Sequence, residues 1–371
     1  MKWNCKQSEL LKIVQNSLEF VQQRSVQSIY GNIFFKLSND MLEIKATSIS
    51  SGFEGRIPVQ GNGDGMITVQ GELFTQMIRN LKEEEMLEFR TDDEFLYISS
   101  ALSTVNYKIR YVAADSFEYR EMPDTEDSIC ISKSIFFDMA SKAIVSVSDD
   151  ESKPNLCGVH AEFKSDSISL TSSDGRCLTY YKKDLDFPNI EEDKAMIIPS
   201  KFIRDLLKIA PDGDTFTIKF SDSAVYAVFK DCTVWTVLTK AVYPSVASIL
   251  GRNYANTVVF SVDAFSKLLR HVCIMSDDKS KRISMKFTSG KLVVTSLDKE
   301  EIGIGSEEIN CDYEGEDVSF AVCYTYLQNQ LKILTTDSFF FSFSQEKAPV
   351  KIEPSPNKEY SAIIMTMSAD K

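Results

Sequence analysis

The chain has 371 residues and a net charge of −13 at pH 7, with 43% hydrophobic and 26% charged residues. This length suits two or three domains, and the composition is that of a globular protein rather than a disordered one. No stretch reaches the run of about 18 apolar residues that a membrane helix needs. The eight cysteines form no CxxC pair, and only two histidines are present. We therefore expect a cytoplasmic protein with reduced thiols, no cofactor, no histidine-based metal site and no membrane association.

Three similar helical patterns begin successive parts of the chain. Apolar residues recur at helical spacing around Leu11, Phe136 and Phe265, and each pattern has a Ser or Asp near its start, as an N-cap requires. A second helical pattern follows each of them after 62 to 66 residues. The six predicted helices span residues 8–24, 71–82, 134–147, 200–209, 262–272 and 324–333. The period of about 125 residues predicts a threefold internal repeat.

The segments between the predicted helices alternate apolar and polar residues, as half-buried antiparallel strands do. Residues 42–46 and 291–295 show this alternation, and Asp174-Gly175 marks a turn between two such segments. The predicted fold class is α+β, with three tandem repeats that each contain two helices and roughly eight short strands. The predicted domains are residues 1–123, 124–251 and 252–371.

The charges are distributed unevenly between the predicted helices and the rest of the chain. The six helical windows carry a net charge of +5, so the remaining residues carry −18. Cations recur at helical spacing, as in Lys201, Arg204 and Lys208, which gives the helix an apolar face and a partly basic face. These basic faces are either ordinary solvated surface or a surface that binds a polyanion. Contacts of the second kind would go to phosphates, independent of base sequence and sensitive to salt.

Motifs for catalysis are absent from the sequence. It contains no GxxxxGK[ST] loop, GxGxxG turn, HExxH or GxSxG. The acidic pairs Asp149-Asp150 and Asp277-Asp278 follow predicted helices, in loops where Asp commonly forms turns. We therefore expect no metal site and no enzyme activity.

Several segments follow one another in an order that carries a family resemblance. They are Met1-Lys2, Val112-Ala113-Ala114-Asp115, Lys153-Pro154-Asn155-Leu156-Cys157-Gly158-Val159, Ser173-Asp174-Gly175-Arg176-Cys177-Leu178, Tyr243-Pro244, Tyr326-Leu327 and Ile364-Met365-Thr366-Met367. Together with the threefold repeat, they resemble the bacterial DNA sliding clamp, the beta subunit of DNA polymerase III, over essentially the whole chain. The resemblance implies a head-to-tail homodimer that closes into a six-domain ring around double-stranded DNA. Such a ring is not an enzyme, and it confers processivity by holding the replicative polymerase on its template.

The resemblance also implies which residues contact DNA and which form the dimer. The residues expected to line the hole are Arg24, Arg79, Lys82, Lys201, Arg204, Lys208, Lys267, Arg270 and Lys332. Tyr107 and Ile109, on an expected edge strand of one protomer, would contact Ile274 and Met275 at the end of a helix of the other. Their apolar side chains would form a small core there.

A peptide-binding pocket is the third feature that the resemblance implies. It would lie between the second and third domains and receive short motifs of replicative and repair DNA polymerases and of the clamp loader. Its expected residues are Leu156, Ser173, Gly175, Arg176, Leu178, Pro244, Ile249, Tyr326, Met365 and Met367. Leu, Ile, Met and Pro would make an apolar slot, and flexible Met side chains adapt to varied ligands.

This chain departs from the family pattern at the pocket. The family's Gly-His-Arg-Leu is Gly175-Arg176-Cys177-Leu178 here, its closing Met-Pro-Met-Arg-Leu is Met365-Thr366-Met367-Ser368-Ala369, and Ser248 replaces an arginine. Because Cys177 replaces a basic residue, we expect acidic or glutamine-rich flanks of a ligand to matter less than in relatives. From the local sequence alone, Asp174-Gly175 also predicts a type I′ hairpin turn.

A second hypothesis is a metal-dependent DNA-processing enzyme that reuses the same fold pattern. Asp149, Asp150, Asp277 and Asp278 would then hold Mg²⁺ or Mn²⁺ in acidic loops. Nuclease activity with either ion discriminates between the two hypotheses, and we expect none.

Overall fold

The computed structural model describes residues 1–22, 29–100, 103–123, 127–209, 211–276, 281–296, 303–344 and 348–367. The helices in this part of the chain are α1 (Gln7–Leu18), α2 (Gly71–Arg79), α3 (Lys133–Ala143), α4 (Ser200–Lys208), α5 (Ala247–Leu250), α6 (Val262–Cys273) and α7 (Tyr324–Ile333). None of these helices is long and apolar enough to cross a membrane.

Strands occupy most of the chain between these helices. The first predicted repeat contains β1 (Lys2–Lys6), β2 (Asn32–Ser38), β3 (Met41–Thr47), β4 (Ser51–Pro58), β5 (Gln60–Asn62), β6 (Gly65–Gln70), β7 (Met86–Thr91), β8 (Phe95–Ser100), β9 (Asn106–Arg110) and β10 (Val112–Ala113). The second contains β11 (Ser128–Ser132), β12 (Gly158–Lys164), β13 (Ser167–Ser173), β14 (Cys177–Asp184), β15 (Lys194–Pro199), β16 (Thr215–Phe220), β17 (Ala224–Val228) and β18 (Cys232–Val237). The third contains β19 (Asn256–Ser261), β20 (Arg282–Thr288), β21 (Lys291–Ser296), β22 (Ser306–Asn310), β23 (Val318–Cys323), β24 (Ser338–Phe343), β25 (Val350–Ser355) and β26 (Tyr360–Ile364).

The six predicted helices are confirmed as α1 to α4, α6 and α7, although some of their ends differ. α1 ends at Leu18 rather than near residue 24. Its start has no side-chain cap, because α1 continues directly from β1 and the N–H of Gln7 donates to the carbonyl oxygen of Glu85 at 2.8 Å. The expected Ser or Asp cap is therefore wrong for α1. In α6 the cap is Ser261, whose side chain accepts a backbone N–H of the first turn, and Asp263 lies inside that turn.

The chain forms two compact units, and each contains two sheets of antiparallel strands. The first unit comprises Met1–Phe137, Phe187–Ile190 and Lys201–Leu238, and the second comprises Asp138–Asp186, Glu191–Ser200 and Thr239–Lys371. The sheets of the first unit have the orders β5-β1-β7-β8-β9 and β10-β6-β2-β3-β4-β18-β17-β16-β11. Those of the second have the orders β15-β12-β13-β14-β26-β25-β24-β19 and β22-β21-β20-β23. The repeats thus share sheets, since β4 pairs with β18 and β14 with β26, and the three domain boundaries stay a prediction.

Large aromatic side chains fill the core of each unit. In the first unit, Trp3 stacks on Phe89 with the ring centroids 4.8 Å apart. In the second, Phe287 stacks on Phe343 with the centroids 4.0 Å apart. All four side chains are buried, and α1 packs on α2 as α6 packs on α7. α1, α2, α6 and α7 therefore bury apolar residues in the core and leave a polar face to solvent.

Candidate functional site

The cations expected to contact DNA lie on helices or directly after them, and all those described are exposed. Their positions are Arg79 at the end of α2, Lys82 just after it, Lys201, Arg204 and Lys208 in α4, Lys267 and Arg270 in α6, and Lys332 in α7. Arg24 lies outside the described residues. The basic helix faces predicted from the sequence are therefore present on α2, α4, α6 and α7.

Acidic neighbours neutralise two of the three cations on α4. Asp205 Oδ2 accepts a hydrogen bond from Lys201 Nζ at 2.5 Å, and Asp205 Oδ1 lies 3.5 Å from Lys208 Nζ. Lys208 Nζ also donates to Glu19 Oε2 of the neighbouring segment at 2.6 Å. The hydrogen bond to Glu19 raises the pKa of Lys208, so its charge is held by these two carboxylates. Only Arg204 remains without an acidic partner on this helix in the described part of the chain.

A smaller pair of the same kind occurs on α6. Lys267 Nζ donates to Asp263 Oδ2 at 2.6 Å, and both side chains are exposed. Among the expected DNA contacts in the described ranges, those without a carboxylate at ion-pair distance are Arg79, Lys82, Arg204, Arg270 and Lys332. The uneven charge distribution read from the sequence is real, but it overstates the positive charge that these helices offer to a ligand.

Lys12 of α1 is a helical cation that was not among the expected DNA contacts. Its Nζ donates to Asp212 Oδ1 at 2.5 Å and to Asp231 Oδ2 at 3.0 Å. Burial lowers the pKa of Lys12, but these two bonds outweigh burial and raise it. The groove beside α1 has a volume of about 600 Å³ and is lined by residues of both signs, including Arg79 and Glu19. Lys12 therefore ties α1 to loops about two hundred residues away, a pairing that no local pattern reveals.

The expected peptide pocket begins at the tight turn between β13 and β14. Asp174 N donates to Cys177 O at 3.2 Å, and Gly175 has a φ of +90°, whereas Arg176 has no positive φ. A type I′ turn needs positive φ at both central residues, so that prediction is wrong. A single positive φ at the first central residue, occupied by Gly, is typical of type II′. Asp174 Oδ1 stabilises the turn by accepting from the N–H groups of Arg176 and Cys177, each at 2.8 Å.

Two exposed methionines lie beside this turn, because β26 pairs with β14. Met365 N donates to Arg176 O at 2.8 Å, and Met367 exchanges backbone hydrogen bonds with Ala321 at 2.7 and 3.0 Å. The side chains of Met365 and Met367 are 48% and 36% exposed, whereas Leu178 is 4% exposed. The side chains of the two methionines are therefore accessible, whereas Leu178, which pairs with Ile363 on β26, is buried.

A hydrogen bond fastens α7 to the same turn. Tyr326 Oη, in the first turn of α7, donates to Asp174 Oδ2 at 2.6 Å. Burial, followed by this bond, raises the pKa of Tyr326, so the hydroxyl stays protonated. The buried Ser173 Oγ donates to Cys177 O at 2.9 Å and accepts from Gly175 N at 3.0 Å. Asp174 thus lies among the expected pocket residues, although the sequence did not assign it to them, because its partner lies 152 residues away.

Two further segments of the same unit contain the other pocket candidates. Leu156 is half-buried at the end of a short 3₁₀ turn. Asn155 Nδ2 in that turn donates to Val242 O at 3.5 Å, which brings the loop before Pro244 close to Leu156. Pro244 and Ile249 are exposed, and the backbone bonds of Ile249 stay within α5 and its flanks. Hydrogen bonds thus join Met365 and the first turn of α7 to the β13–β14 turn, and separately join the turn of Leu156 to the segment before Pro244, while Ile249 is placed only by its short helix.

Cys177 lies beneath the pocket rather than on its rim. Its side chain is 1% exposed, with Sγ 3.3 Å from Ser146 Oγ and 3.4 Å from Gln330 Nε2. Burial raises the pKa of the Cys177 thiol to about 12, so the group is neutral. The buried Gln330 completes this network by accepting a hydrogen bond from Tyr360 Oη. A direct effect of Cys177 on charged flanks of a ligand is not supported, because its side chain is buried. Of the neighbouring residues Arg176 and Cys177, only Arg176 is exposed.

The expected dimer residues are only partly available for contact. β9 is the last strand of its sheet, so Tyr107 and Ile109 do lie on an edge strand. Ile109, however, is 6% exposed, so its side chain offers little surface to another chain, and its role in the dimer stays a prediction. Ile274 and Met275 are 77% and 44% exposed. Ile304 was missed, although it is 77% exposed and its flanking backbone packs beside Met275.

The acidic loop after α3 forms a local turn. Asp150 Oδ1 accepts from Ser152 Oγ at 2.6 Å and from Ser152 N at 3.1 Å. These hydrogen bonds lower the pKa of Asp150, while its neighbour Asp149 is exposed. Asp277 and Asp278 lie outside the described residues. In the part of the chain that the structure describes, no group of three or more His, Cys, Asp or Glu side chains is arranged to hold a metal ion.

Solved structures with the same fold define the class of the protein. The DNA polymerase III subunit beta from Pseudomonas aeruginosa matches with a TM-score of 0.94 and 18% identity, covering 99% of this chain and 100% of that one. The DNA polymerase sliding clamp from Bacillus subtilis matches with a TM-score of 0.92 and 20% identity, covering 100% and 99%. The fold is therefore that of a DNA polymerase sliding clamp.

Sequence comparisons define the family. The Treponema pallidum beta sliding clamp is 25% identical over 374 residues, covering 100% of both chains. Family models of the DNA polymerase III beta subunit match residues 1–123 with the N-terminal domain, 131–245 with the central domain and 247–368 with the C-terminal domain. The chain belongs to the DNA polymerase III beta subunit family, and its function is that of a sliding clamp, a processivity factor of DNA replication. The resemblance read from the sequence is confirmed.

Proposed function

We propose that two copies of this chain associate head to tail and close into a ring around double-stranded DNA without catalysing a reaction. The observation that carries the proposal is a pair of complementary sheet edges. In the described residues, β9 is the last strand of a sheet in the first unit, and β22 is the last strand of a sheet in the second. Backbone groups on such edges pair readily with a strand of another chain.

The two edges carry opposite charges. Lys108 and Arg110 are exposed on β9, whereas β22 carries Glu307 and Glu308. Two copies of the same edge would place like charges opposite each other, which is destabilising, but β9 of one copy against β22 of another places unlike charges together. The charges therefore favour a head-to-tail contact over a contact between identical edges.

Apolar side chains supply the buried centre of the proposed contact. Ile274, Met275 and Ile304 are exposed beside β22, and Tyr107 offers a half-buried ring on β9. An apolar centre with a charged rim is typical of a stable protein interface. A head-to-tail contact makes a closed ring when successive copies return to the start, and an open fibre when they do not.

Solution mass tests this assembly. A closed dimer has a mass of about 84 kDa, twice the 41.9 kDa of the chain. We expect this mass to stay constant as protein concentration rises, because a closed ring has no free edge. A mass of one chain, or a mass that grows with concentration, would contradict the ring.

The proposed DNA contacts are the expected helical cations that are exposed and have no acidic partner in the described ranges, namely Arg79, Lys82, Arg204, Arg270 and Lys332. Isolated cations bind phosphates weakly and without base preference, as a ring that slides requires. The test is binding of a short linear duplex, which threads a ring without a loader, at several salt concentrations. Removal of one phosphate-binding cation should reduce the slope of log affinity against log salt by about 0.9. We expect no difference between duplexes of different sequence.

We further propose that the pocket around the β13–β14 turn receives short peptides of replicative and repair DNA polymerases and of the clamp loader. Support comes from the exposed Met365 and Met367 over the buried Leu178, on a turn that is fully hydrogen-bonded. A pocket built in this way needs little reorganisation when an extended peptide inserts apolar side chains. The test is titration of a labelled polymerase-derived peptide against this chain.

The absence of catalysis and the cytoplasmic location also stay predictions. The hydrogen bonds that fix Asp150 in its turn explain that carboxylate without a ligand. Incubation of single- and double-stranded DNA with the protein and Mg²⁺ or Mn²⁺ should leave both DNAs intact. Cleavage that disappears in an Asp149→Asn, Asp150→Asn variant would support the enzyme hypothesis instead.

A further inference from the structure

α4 combines three exposed cations with one buried carboxylate. The side chains of Lys201 and Lys208 are 68% and 56% exposed, whereas that of Asp205 is 6% exposed. Asp205 lies four residues after Lys201 and three before Lys208, so all three side chains share one face of the helix. Both carboxylate oxygens point to an ammonium group, at 2.5 and 3.5 Å.

Because Asp205 is buried, its carboxylate binds a lysine ammonium group more strongly than an exposed carboxylate does. A buried carboxylate without a cationic partner is costly, so Asp205 retains an ammonium group near it. An exposed carboxylate is hydrated when its partner leaves, which is why exposed pairs contribute little. The pair between Lys267 and Asp263 on α6 is of the exposed type, with side-chain exposures of 57% and 71%.

We propose that Asp205 limits the affinity of the clamp for DNA. It holds Lys201 and Lys208 in ion pairs, and a DNA phosphate must displace Asp205 before it binds either lysine. Asp205 is then a positioning residue, since it acts through the two lysines. Glu19 strengthens the effect because it holds Lys208 from the other side at 2.6 Å. This inference rests on the proposed DNA face of α4, where Arg204 is the one described cation with no carboxylate at ion-pair distance.

Acidic residues on a helix that faces DNA would keep the contacts of that helix with phosphates weak. Three free cations on one helix would each add a phosphate contact and make affinity steeply dependent on salt. A ring that holds DNA by closure needs contacts weak enough to break at every step of sliding. Paired lysines keep the local potential low while the helix stays solvated and stable.

The experiment measures binding of a fluorescent 30-base-pair linear duplex to the dimer between about 25 and 150 mM KCl, a range in which phosphate contacts dominate. Asp205→Asn keeps the size of the side chain and removes its charge. We expect up to threefold tighter binding at the lowest salt and a salt slope steeper by about 1, for the released Lys201, because Lys208 keeps its 2.6 Å hydrogen bond to Glu19. Glu19→Gln removes the closer of the two carboxylates that hold Lys208 and should give a smaller change in the same direction, which covers the case in which Asp205→Asn does not fold.

Two control variants separate this mechanism from a general charge effect. Asp263→Asn removes the same charge from an exposed pair and should change affinity less than twofold. Adding Lys201→Gln and Lys208→Gln to Asp205→Asn should return the affinity to or below that of the wild type, because the effect passes through the lysines. If the triple variant keeps the tighter binding, or if Asp263→Asn matches Asp205→Asn, the inference is overturned.

Arg204→Ser distinguishes failure of the inference from failure of the proposed DNA face. If Arg204→Ser weakens binding and Asp205→Asn changes nothing, α4 contacts DNA but Asp205 does not limit the affinity for DNA. If Arg204→Ser leaves both affinity and salt slope unchanged, α4 does not face DNA and the underlying proposal fails. The supporting result is weaker binding with Arg204→Ser together with tighter, lysine-dependent binding with Asp205→Asn.

Discussion

The peptide pocket and the proposed protomer contact both expose aliphatic and methionine side chains, but their backbones differ. At the pocket, Met365 N is bonded to Arg176 O, and Met367 is bonded twice to Ala321. At the contact, the exposed Ile274 and Met275 lie beside β22, and β22 and β9 each end a sheet. The backbone groups at the proposed pocket are bonded within one chain, whereas the proposed contact leaves edge groups that a second chain can satisfy.

This difference indicates different kinds of partner. A preformed rim of flexible methionines suits short ligands that bind and leave, because little ordering entropy is lost on binding. Open edges with an exposed apolar centre suit a permanent partner, because unpaired edges promote aggregation when they stay exposed. Substitutions on each surface test whether the two act independently, beginning with the largest expected effect.

Ile274→Lys combined with Met275→Lys should convert the dimer into a folded monomer. Two ammonium groups in the centre of the contact would lose hydration without gaining a partner, which costs several kcal/mol for each buried charge. Sedimentation should give the mass of one chain, and peptide binding should stay unchanged. The matched control is Val259→Lys, which changes an equally accessible apolar residue on β19 (50% exposed). A double variant that still sediments as a dimer would show that this contact is assigned wrongly.

Met365→Ala combined with Met367→Ala should weaken peptide binding by about 2 kcal/mol or more, roughly thirtyfold, by the usual size of apolar hot spots. The physical reason is the smaller apolar area that the ligand buries, since the backbone bonds of both residues remain. Fluorescence titration of a labelled polymerase-derived peptide measures the change, and the dimer should persist. Met66→Ala is the control, as Met66 is 53% exposed on β6. Equal affinities for wild type and double variant would mean that peptides dock elsewhere.

Gln330→Leu should lower the free energy of unfolding by about 1 to 3 kcal/mol, the usual cost of leaving buried polar groups unsatisfied. Gln330 Nε2 donates to Ser146 Oγ at 3.0 Å, and Gln330 Oε1 accepts from Tyr360 Oη, all in the buried region beneath the pocket. Urea unfolding measures the decrease, and Gln328→Leu on the less buried side of α7 is the control. If both variants unfold at the same urea concentration, the network does not support the pocket floor.

The sequence predicts the elements well because their signals are local. Apolar residues at helical spacing locate α2, α4, α6 and α7 within a few residues, and strict alternation locates strands such as β3 and β21. The α1 end is missed because the apolar pattern continues past Leu18 while the helix does not. The alternation also predicts the burial of Ile109, because this residue lies between the exposed Lys108 and Arg110 and therefore faces the core of its own protomer.

The details of the sites were not predictable because they depend on distant partners. Lys208 meets Glu19 across 189 residues, and Tyr326 meets Asp174 across 152. Neither pair has a local pattern, so paired and free cations look alike in the sequence. The burial of Cys177 likewise follows from strand pairing of β14 with β26, which one sequence alone does not reveal. The expected residues at the pocket and on the helices stay predictions about function.

The smallest effect should come from Tyr326→Phe, which removes the hydroxyl that binds Asp174 Oδ2 at 2.6 Å and keeps the aromatic ring. The turn itself should survive, because Asp174 Oδ1 still accepts from Arg176 N and Cys177 N. Only one of the hydrogen bonds between α7 and the turn is removed, so peptide affinity should fall by about 0.5 to 1 kcal/mol, the net worth of one hydrogen bond.

Tyr324→Phe, two residues earlier on the same helix, is the matched control and should leave affinity unchanged. Both variants are compared by titration of the same labelled peptide, with the mass of the dimer checked in parallel. A fall confined to Tyr326→Phe supports a preformed pocket that the Asp174 bond holds in shape. An increase in affinity would mean that the bond closes the pocket and must open for a ligand, so the pocket would not be complete in one chain before its ligand arrives.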